Sequence, residues 1–286
     1  MSSIEKAVAR LSGQADDAAA RTNAERAAHH ASVSTEASPD PSGTSKPQIR
    51  LRLRRLARAG YITPDTMQGQ LAEQFRHIKR PILKNVAESA ESRRDNRNLI
   101  AITSAHKGEG KTFTAFNLAM SISMERDLSV LLVDSDLIAR SLTNLVGLNG
   151  APGLTDVLVD SAVGIGDVIV GTNVAKLSLI PAGRVRENTT ELLGSERMRR
   201  VVGELSSRYS NRIVLFDTAP ILTTSQALVL DALVGQIVVV VEEGNTSQQA
   251  IQDAVALLEK NKDVGMVLNK SRRKLGKNYG AYYGYS

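Results

Sequence analysis

At 286 residues, with 42% hydrophobic and 23% charged residues and a formal net charge of +6, the chain has room for one large α/β domain with appendages. The absence of cysteine excludes disulfides and thiolate metal sites, and His29, His30, His77 and His106 are too scattered to make a ligand cluster. Aromatic residues are only 3% of the chain and none lies among its N-terminal arginines, so stacking on bases has little to work with and no nucleic-acid partner is expected.

No apolar run is long enough to span a bilayer, and Met1-Ser2-Ser3-Ile4-Glu5-Lys6 lacks the apolar core of a signal peptide, so a cytoplasmic location is expected unless something tethers the chain. Ser2 and Glu5 make a capping box. With Ile4, Ala7, Val8 and Leu11 at helical spacing, a short amphipathic helix is expected to end at Gly13. So short a helix is marginal alone, and its apolar stripe should dock on its own domain or on a partner. A Ser/Pro/Gly-rich linker follows to Pro47. Next come Lys46, Arg50, Arg52, Arg54, Arg55 and Arg58 without an intervening acid; such a run either meets an anionic surface or is merely solvated.

Thr63-Pro64-Asp65 predicts a helix start, with Thr63 as cap and Pro64 in the first turn. Met67, Leu71, Phe75, Ile78 and Ile82 then form an apolar stripe, with Glu73, Arg76 and Arg80 opposite and Lys79 beside them. Pro81 should kink or break this helix. From Leu99 onward, β-branched runs alternate with helical patterns, as in a mostly parallel sheet covered on both faces. Strands are expected at 99–103, 129–133, 177–181, 212–216, 236–241 and 265–268, and helices at 191–207 and 247–260. The expected organisation is a helix and linker over 1–47, a basic and helical oligomerisation region over 48–97, an α/β domain of P-loop NTPase type over 98–270, and a tyrosine-rich tail over 271–286.

The chemistry centres on Ser104-Ala105-His106-Lys107-Gly108-Glu109-Gly110-Lys111-Thr112, between the first strand and a helix that opens with Phe113. A strand that turns through glycines into a helix start offers backbone N–H groups and a positive dipole end to a triphosphate. Lys111 would reach the outer phosphates, and the Thr112 hydroxyl would ligate a phosphate-bound Mg2+. The full consensus asks for glycine where Ala105 stands. Two further strands end in acids: Asp134 and Asp136 follow Val130 to Val133, and Asp217 follows Ile213 to Phe216. Acids at strand carboxyl ends can hold the water shell of a metal, Asp136 and Asp217 with Thr112 in this case, and Asp134 can accept a proton from a nucleophile. Each acid alone could simply cap the next helix.

With these motifs in place, the chain from about Ile62 onward resembles the bacterial tyrosine kinases. Gly108-Glu109-Gly110-Lys111-Thr112 is similar to their Walker A loop, Asp134-Ser135-Asp136 to their Walker A′ strand end, and Leu215-Phe216-Asp217-Thr218 to their Walker B strand. The start Ser3-Ile4-Glu5-Lys6-Ala7, Gly60-Tyr61-Ile62-Thr63-Pro64 and Phe75 to Pro81 resemble the exopolysaccharide-locus autokinases that lack a fused membrane segment. Two positions depart from the pattern. Ile138 stands where an arginine is usual, with Arg140 two residues later, and Ala219 replaces the first proline after the Walker B motif.

The resemblance implies an ATP- and Mg2+-dependent protein-tyrosine autokinase. Its nucleotide would lie along Lys107, Gly108, Glu109, Gly110, Lys111, Thr112 and Phe113, with Asn269 near the adenine, and its phosphoacceptors would be Tyr279, Tyr282, Tyr283 and Tyr285, modified in trans. Glu73, Arg76 and Lys79 match an E-x-x-R-x-x-R pattern that joins subunits into a ring, except for the final lysine. It further implies a place at the inner membrane through the cytoplasmic tail of a polysaccharide copolymerase, and a tyrosine phosphatase as counterpart. The alternative is a positioning ATPase of the partition or septum-placement kind. Its signature lysine falls where this chain has His106, and its C-terminal helix where this chain is rich in glycine and tyrosine.

Overall fold

The computed structural model describes residues 47–92, 96–208, 211–260 and 262–271. The helix expected around Ile4, Val8 and Leu11, the linker and the four C-terminal tyrosines lie outside the described residues. Eight strands form one sheet: β1 (Gln48–Ile49), β2 (Leu99–Ser104), β3 (Ser129–Asp134), β4 (Val170–Thr172), β5 (Leu177–Ile180), β6 (Arg212–Asp217), β7 (Gln236–Glu242) and β8 (Asp263–Asn269). Their order is β1-β4-β5-β3-β6-β2-β7-β8. All neighbours are parallel except β4 and β5. The six expected strands are present. The two unforeseen ones, β1 and β4, are only two and three residues long, too short for a period of two to show.

Central strands bury both faces, because their residues alternate between two cores. Leu99, Ala101, Leu131, Val133, Val214, Phe216, Ile237 and Val239 point into one. Ile100, Ile102, Val130, Leu132, Ile213, Leu215, Val238 and Val240 point into the other. This is why the strands read as continuous apolar runs rather than alternating ones.

On the second face lies α3 (Lys111–Ser123), buried throughout from Thr114 onward. It is covered by α1 (Leu53–Arg58) and α2 (Gln70–Ser92), whose Leu56, Ala72, Phe75 and Ile82 enter the same core as Phe116 and Met120. The region 48–97 therefore shares a core with the sheet. The buried Ile62 N–H donates to Asn117 Oδ1 of α3 at 2.7 Å. The Tyr61 ring meets those of Phe113 and Phe116 at 5.1 and 5.3 Å.

The remaining helices are α4 (Ser141–Val146), α5 (Leu154–Val159), α6 (Thr189–Leu193), α7 (Glu196–Ser207), α8 (Gln226–Asp231) and α9 (Gln248–Ala256). The single helix expected over 191–207 is two, because Ser195 adopts extended backbone and caps α7 by accepting the Met198 N–H at 3.2 Å. Met198, Val201, Val202 and Leu205 then fall on its buried stripe. Ser247 caps α9 in the same way, through the Ala250 N–H.

Two expectations about the 63–92 region are narrowed, the helix start and the choice between a kink and a break at Pro81. Pro64 opens a three-residue 3-10 turn (Pro64–Thr66), and α2 begins only at Gln70. Pro81 does not break α2. His77, whose carbonyl loses its donor, and Pro81 are both exposed, so water can serve that carbonyl while the opposite face stays packed. Lys79 also departs from expectation. It is only 8% exposed, and its ammonium pairs with Glu125 at 2.5 Å and donates to the Ser121 carbonyl at 2.9 Å. Lys79 thus ties α2 to the end of α3, whereas Glu73 and Arg76 pair with each other on the open side. Lys79→Ala leaves that carbonyl and carboxylate without their cation and should cost about 1–3 kcal/mol. Arg80→Ala, at an exposed position, should stay within about 0.5 kcal/mol, as read from urea midpoints.

Candidate active site

The loop between β2 and α3 has the geometry that phosphate binding requires. Gly108 and Gly110 hold φ of +91° and +101°, which side-chained residues rarely adopt. At Gly110 a Cβ would also lie 2.0 Å from Asn269 Nδ2. Ala105, where the consensus has glycine, is buried in the core and is not among the residues with positive φ. Its methyl group is therefore accommodated without strain.

The loop is latched from two sides. Glu109 is buried, and its carboxylate accepts the His106 N–H at 2.9 Å and the Thr246 hydroxyl at 2.5 Å. Asn269, at the end of β8, donates from its amide to the Glu109 carbonyl at 2.8 Å. Glu109 and Asn269 are thus braces of the loop. Phe113 sends its ring away from the loop, towards Tyr61 and Phe75, so what Phe113 can offer a phosphate is its backbone at the helix start. Lys107 is exposed, and Lys111 is only 7% exposed at the first position of α3.

The carboxylates converge beside this loop. Strand register sets Asp134 opposite Asp217, and Asp217 opposite Ile102 of β2. The Asp217 carbonyl accepts from the Ser135 N–H at 2.9 Å, the Asp136 N–H at 3.0 Å and the Ser135 hydroxyl at 2.8 Å. Asp136 turns one oxygen to the Ala139 N–H at 3.0 Å. Asp134 and Asp217 are fully buried. Asp134 Oδ2 accepts from the Thr143 N–H and hydroxyl at 2.8 and 2.6 Å, while Asp134 Oδ1 and both Asp217 oxygens close no hydrogen bond.

Burial pushes Asp134 up to about 6, against the pull of the Thr143 donors. Burial also pushes Asp217 well above the carboxylate range. The Asp134 charge adds to that rise, and Thr112 and Lys111 offset it only in part. Buried carboxylate oxygens short of donors, with the Thr112 hydroxyl of a helix start beside Asp217, fit a divalent cation that arrives with phosphates. Asp136, Asp217 and Thr112 are the groups that would hold it. Among the described residues no cluster of three or more His, Asp or Glu is arranged to hold an ion unaided, so phosphate and water oxygens would complete the shell.

Sequence reasoning missed Thr143 and Thr246, whose roles depend on contacts across nine and 137 positions and leave no local pattern. It also left Arg140 without a role. Arg140 sits at φ +53° and donates to the Gly183 carbonyl at 2.7 Å, which fixes the loop after β5 beside the acids.

Residues 97–271 match the family described as the AAA domain. Over 215 residues the chain is 32% identical to the tyrosine-protein kinase YwqD of Bacillus subtilis, covering 74% of this chain and 86% of that one. This chain belongs to the bacterial tyrosine-protein kinases. The kinase domain of the Escherichia coli tyrosine kinase Etk superposes with a TM-score of 0.57 at 29% identity, over 67% of this kinase and 73% of that chain. The tyrosine-protein kinase Wzc of Salmonella typhi is 33% identical over 191 residues, 66% of this kinase. This kinase spans about a quarter, 26%, of Wzc's length.

The raised Asp134 and Asp217 make a contribution of their own to how stability depends on pH. A carboxyl whose folded pKa lies above its unfolded one adds stability that is complete below about pH 4 and is lost as pH rises through the folded value, about 6 for Asp134. Asp217→Asn removes the deeper of the two buried charges. It should raise Tm at neutral pH and lessen the fall in Tm as pH is raised from about 4 to about 7. A variant whose Tm tracks that of the native protein across this window would overturn the like-charge account.

Proposed function

We propose that the chain is an ATP- and Mg2+-dependent protein-tyrosine autokinase. The observation that carries this reading is the convergence of Lys111 and Thr112 with Asp134, Asp136 and Asp217 at the carboxyl ends of three neighbouring strands. The loop N–H groups and Lys111 bind and orient the phosphates of ATP, and Lys111 offsets the charge that builds on the transferring group. Bound Mg2+ would supply further neutralisation of that charge, held by Thr112, Asp136 and Asp217. The tyrosine oxygen attacks the γ-phosphorus, the bond from that phosphorus to the bridging β–γ oxygen breaks, and ADP leaves with the bridging oxygen. The phenolic proton passes to Asp134 Oδ1, whose raised pKa suits an acceptor near neutrality. Because Asp134 is fully buried, one intervening water or hydroxyl carries the proton to it. Asn269 borders the adenine as well as bracing the loop.

The acceptors in this reading are Tyr279, Tyr282, Tyr283 and Tyr285, four of the chain's six tyrosines, presented in trans to a neighbouring subunit. Each phosphate adds roughly −1.5 to −2 charge, which offsets the basic run from Lys270 to Lys277 and repels the acidic site, releasing the tail. A ring of subunits would use Glu73 and Arg76 on the open side of α2, with Arg80 in the place first given to Lys79. The family resemblance supplies the remainder of the proposal: a role in exopolysaccharide synthesis or export, a membrane copolymerase whose cytoplasmic tail recruits the kinase, and an opposing tyrosine phosphatase.

Incubation with ATP and Mg2+ followed by intact and tandem mass spectrometry tests the assignment. Phosphate should appear on the last eight residues and fall at least about a hundredfold in Lys111→Met. Release of free phosphate with the tyrosines unmodified would instead favour the positioning-ATPase reading. For the ring, Glu73→Lys combined with Arg76→Glu should lower the sedimentation coefficient and slow autophosphorylation at fixed protein concentration. Unchanged values of both would exclude that interface.

A further inference from the structure

At the β1 edge of the sheet, Arg50, Arg52, Arg54, Arg55 and Arg58 wall a concavity of about 780 Å³. All five are exposed, and none of their guanidinium groups makes an ion pair or a hydrogen bond within the described residues. Elsewhere Arg76, Arg97, Arg184, Arg199 and Arg208 each find a carboxylate, while arginines without an ion pair within the described residues, such as Arg80 and Arg200, are not gathered around one concavity. Here the wall holds a single acid, Asp65. Five arginines against one acid give the concavity a strong positive excess. That excess is held in one place at a cost in self-repulsion, which a solvated surface would lessen by spreading the charges out.

The backbone that carries these arginines is fixed. Gln48–Ile49 pairs with β4, and the buried Leu51 is clasped by Asn173, which accepts its N–H at 2.8 Å and donates to its carbonyl at 3.4 Å. Leu56 anchors the following turns in the core. Guanidinium groups stay charged at any physiological pH and present forked donors that match phosphate oxygens two at a time. A fixed platform limits the ordering cost to the side chains. No aromatic ring lies in the wall, so a base would have nothing to stack on. The platform is also separate from the P-loop: five strand spacings, roughly 24 Å, divide β1 from β2.

We propose that this concavity is a second anion site, which binds clustered phosphate groups of the kind presented by anionic phospholipid headgroups or by a soluble oligophosphate. The site works whether or not the P-loop transfers phosphate, and its test does not read kinase activity. The full chain, with excess ADP and Mg2+ present to fill the P-loop, is titrated with tripolyphosphate. In parallel it is sedimented with vesicles of phosphatidylcholine, with and without phosphatidylglycerol. The comparison protein is the triple variant Arg52→Gln, Arg54→Gln, Arg55→Gln, in which every changed position is exposed, and binding of a fluorescent ATP analogue reports that its fold is intact.

Binding by the native chain should weaken about a hundredfold in the triple variant and fall steeply with salt. Retention on phosphatidylglycerol vesicles assigns the phosphates to a membrane surface, and binding of tripolyphosphate alone assigns them to a soluble ligand. The proposal is overturned if neither probe binds, if the triple variant binds as well as the native chain, or if poly-glutamate binds as tightly as the phosphates, which would identify an acidic protein partner instead.

Discussion

The parallel register of β3 and β6 forces two aspartates into one dry place. Asp134 and Asp217 are partners across the strand pair, both fully buried and both next to the start of α3. Either could be neutral at little cost, but two ionised carboxylates there repel each other and find no water. Keeping both charged takes positive charge, of which Lys111 beside Asp217 and Arg140 beside Asp134 supply a part. The backbone makes this arrangement hard to relax, since the Asp217 carbonyl takes three donors from Ser135 and Asp136 and so welds the two strand ends together. Folding stability is given up at the site for a field that suits anions carrying their own metal.

The other face explains why the region before the sheet belongs to the same machine. α3 begins in the phosphate loop and ends beside Glu125, and the 61–92 stretch grips it along that length. Ile62 binds Asn117, Tyr61 and Phe75 meet Phe113, and Lys79 closes on Ser121 and Glu125. α2 is therefore tied by packing to the helix that begins at the glycine loop. Packed elements of this kind shift as bodies rather than deform.

Much of this was legible in the sequence because its signals are local. Continuous apolar runs ending in Asp134 and Asp217 marked buried strands with acids at one end, and Gly108, Gly110 and Lys111 marked the loop between them. Failures came where the deciding contact is distant. Lys79 reads as surface charge until Glu125 and Ser121 are brought to it, and Pro81 reads as a breaker until the packing of the opposite helix face is known. Glu109 reads as part of the nucleotide-binding loop, but that its carboxylate is held by Thr246 across 137 positions leaves no trace in the sequence. Asn269 was foreseen near the nucleotide, but its hold on the loop backbone depends on where β8 ends.

That last contact also bears on how the tail is presented. Asn269 touches the loop, and Lys270, at φ +55°, pairs with Glu242 at 2.9 Å, so β8 ends against the glycine loop. Tyr279 lies ten residues beyond Asn269, a span of at most about 35 Å. Asn269 thus couples the end of β8 to the loop backbone, and any displacement of the Glu109 carbonyl acts directly on the last residue of that strand.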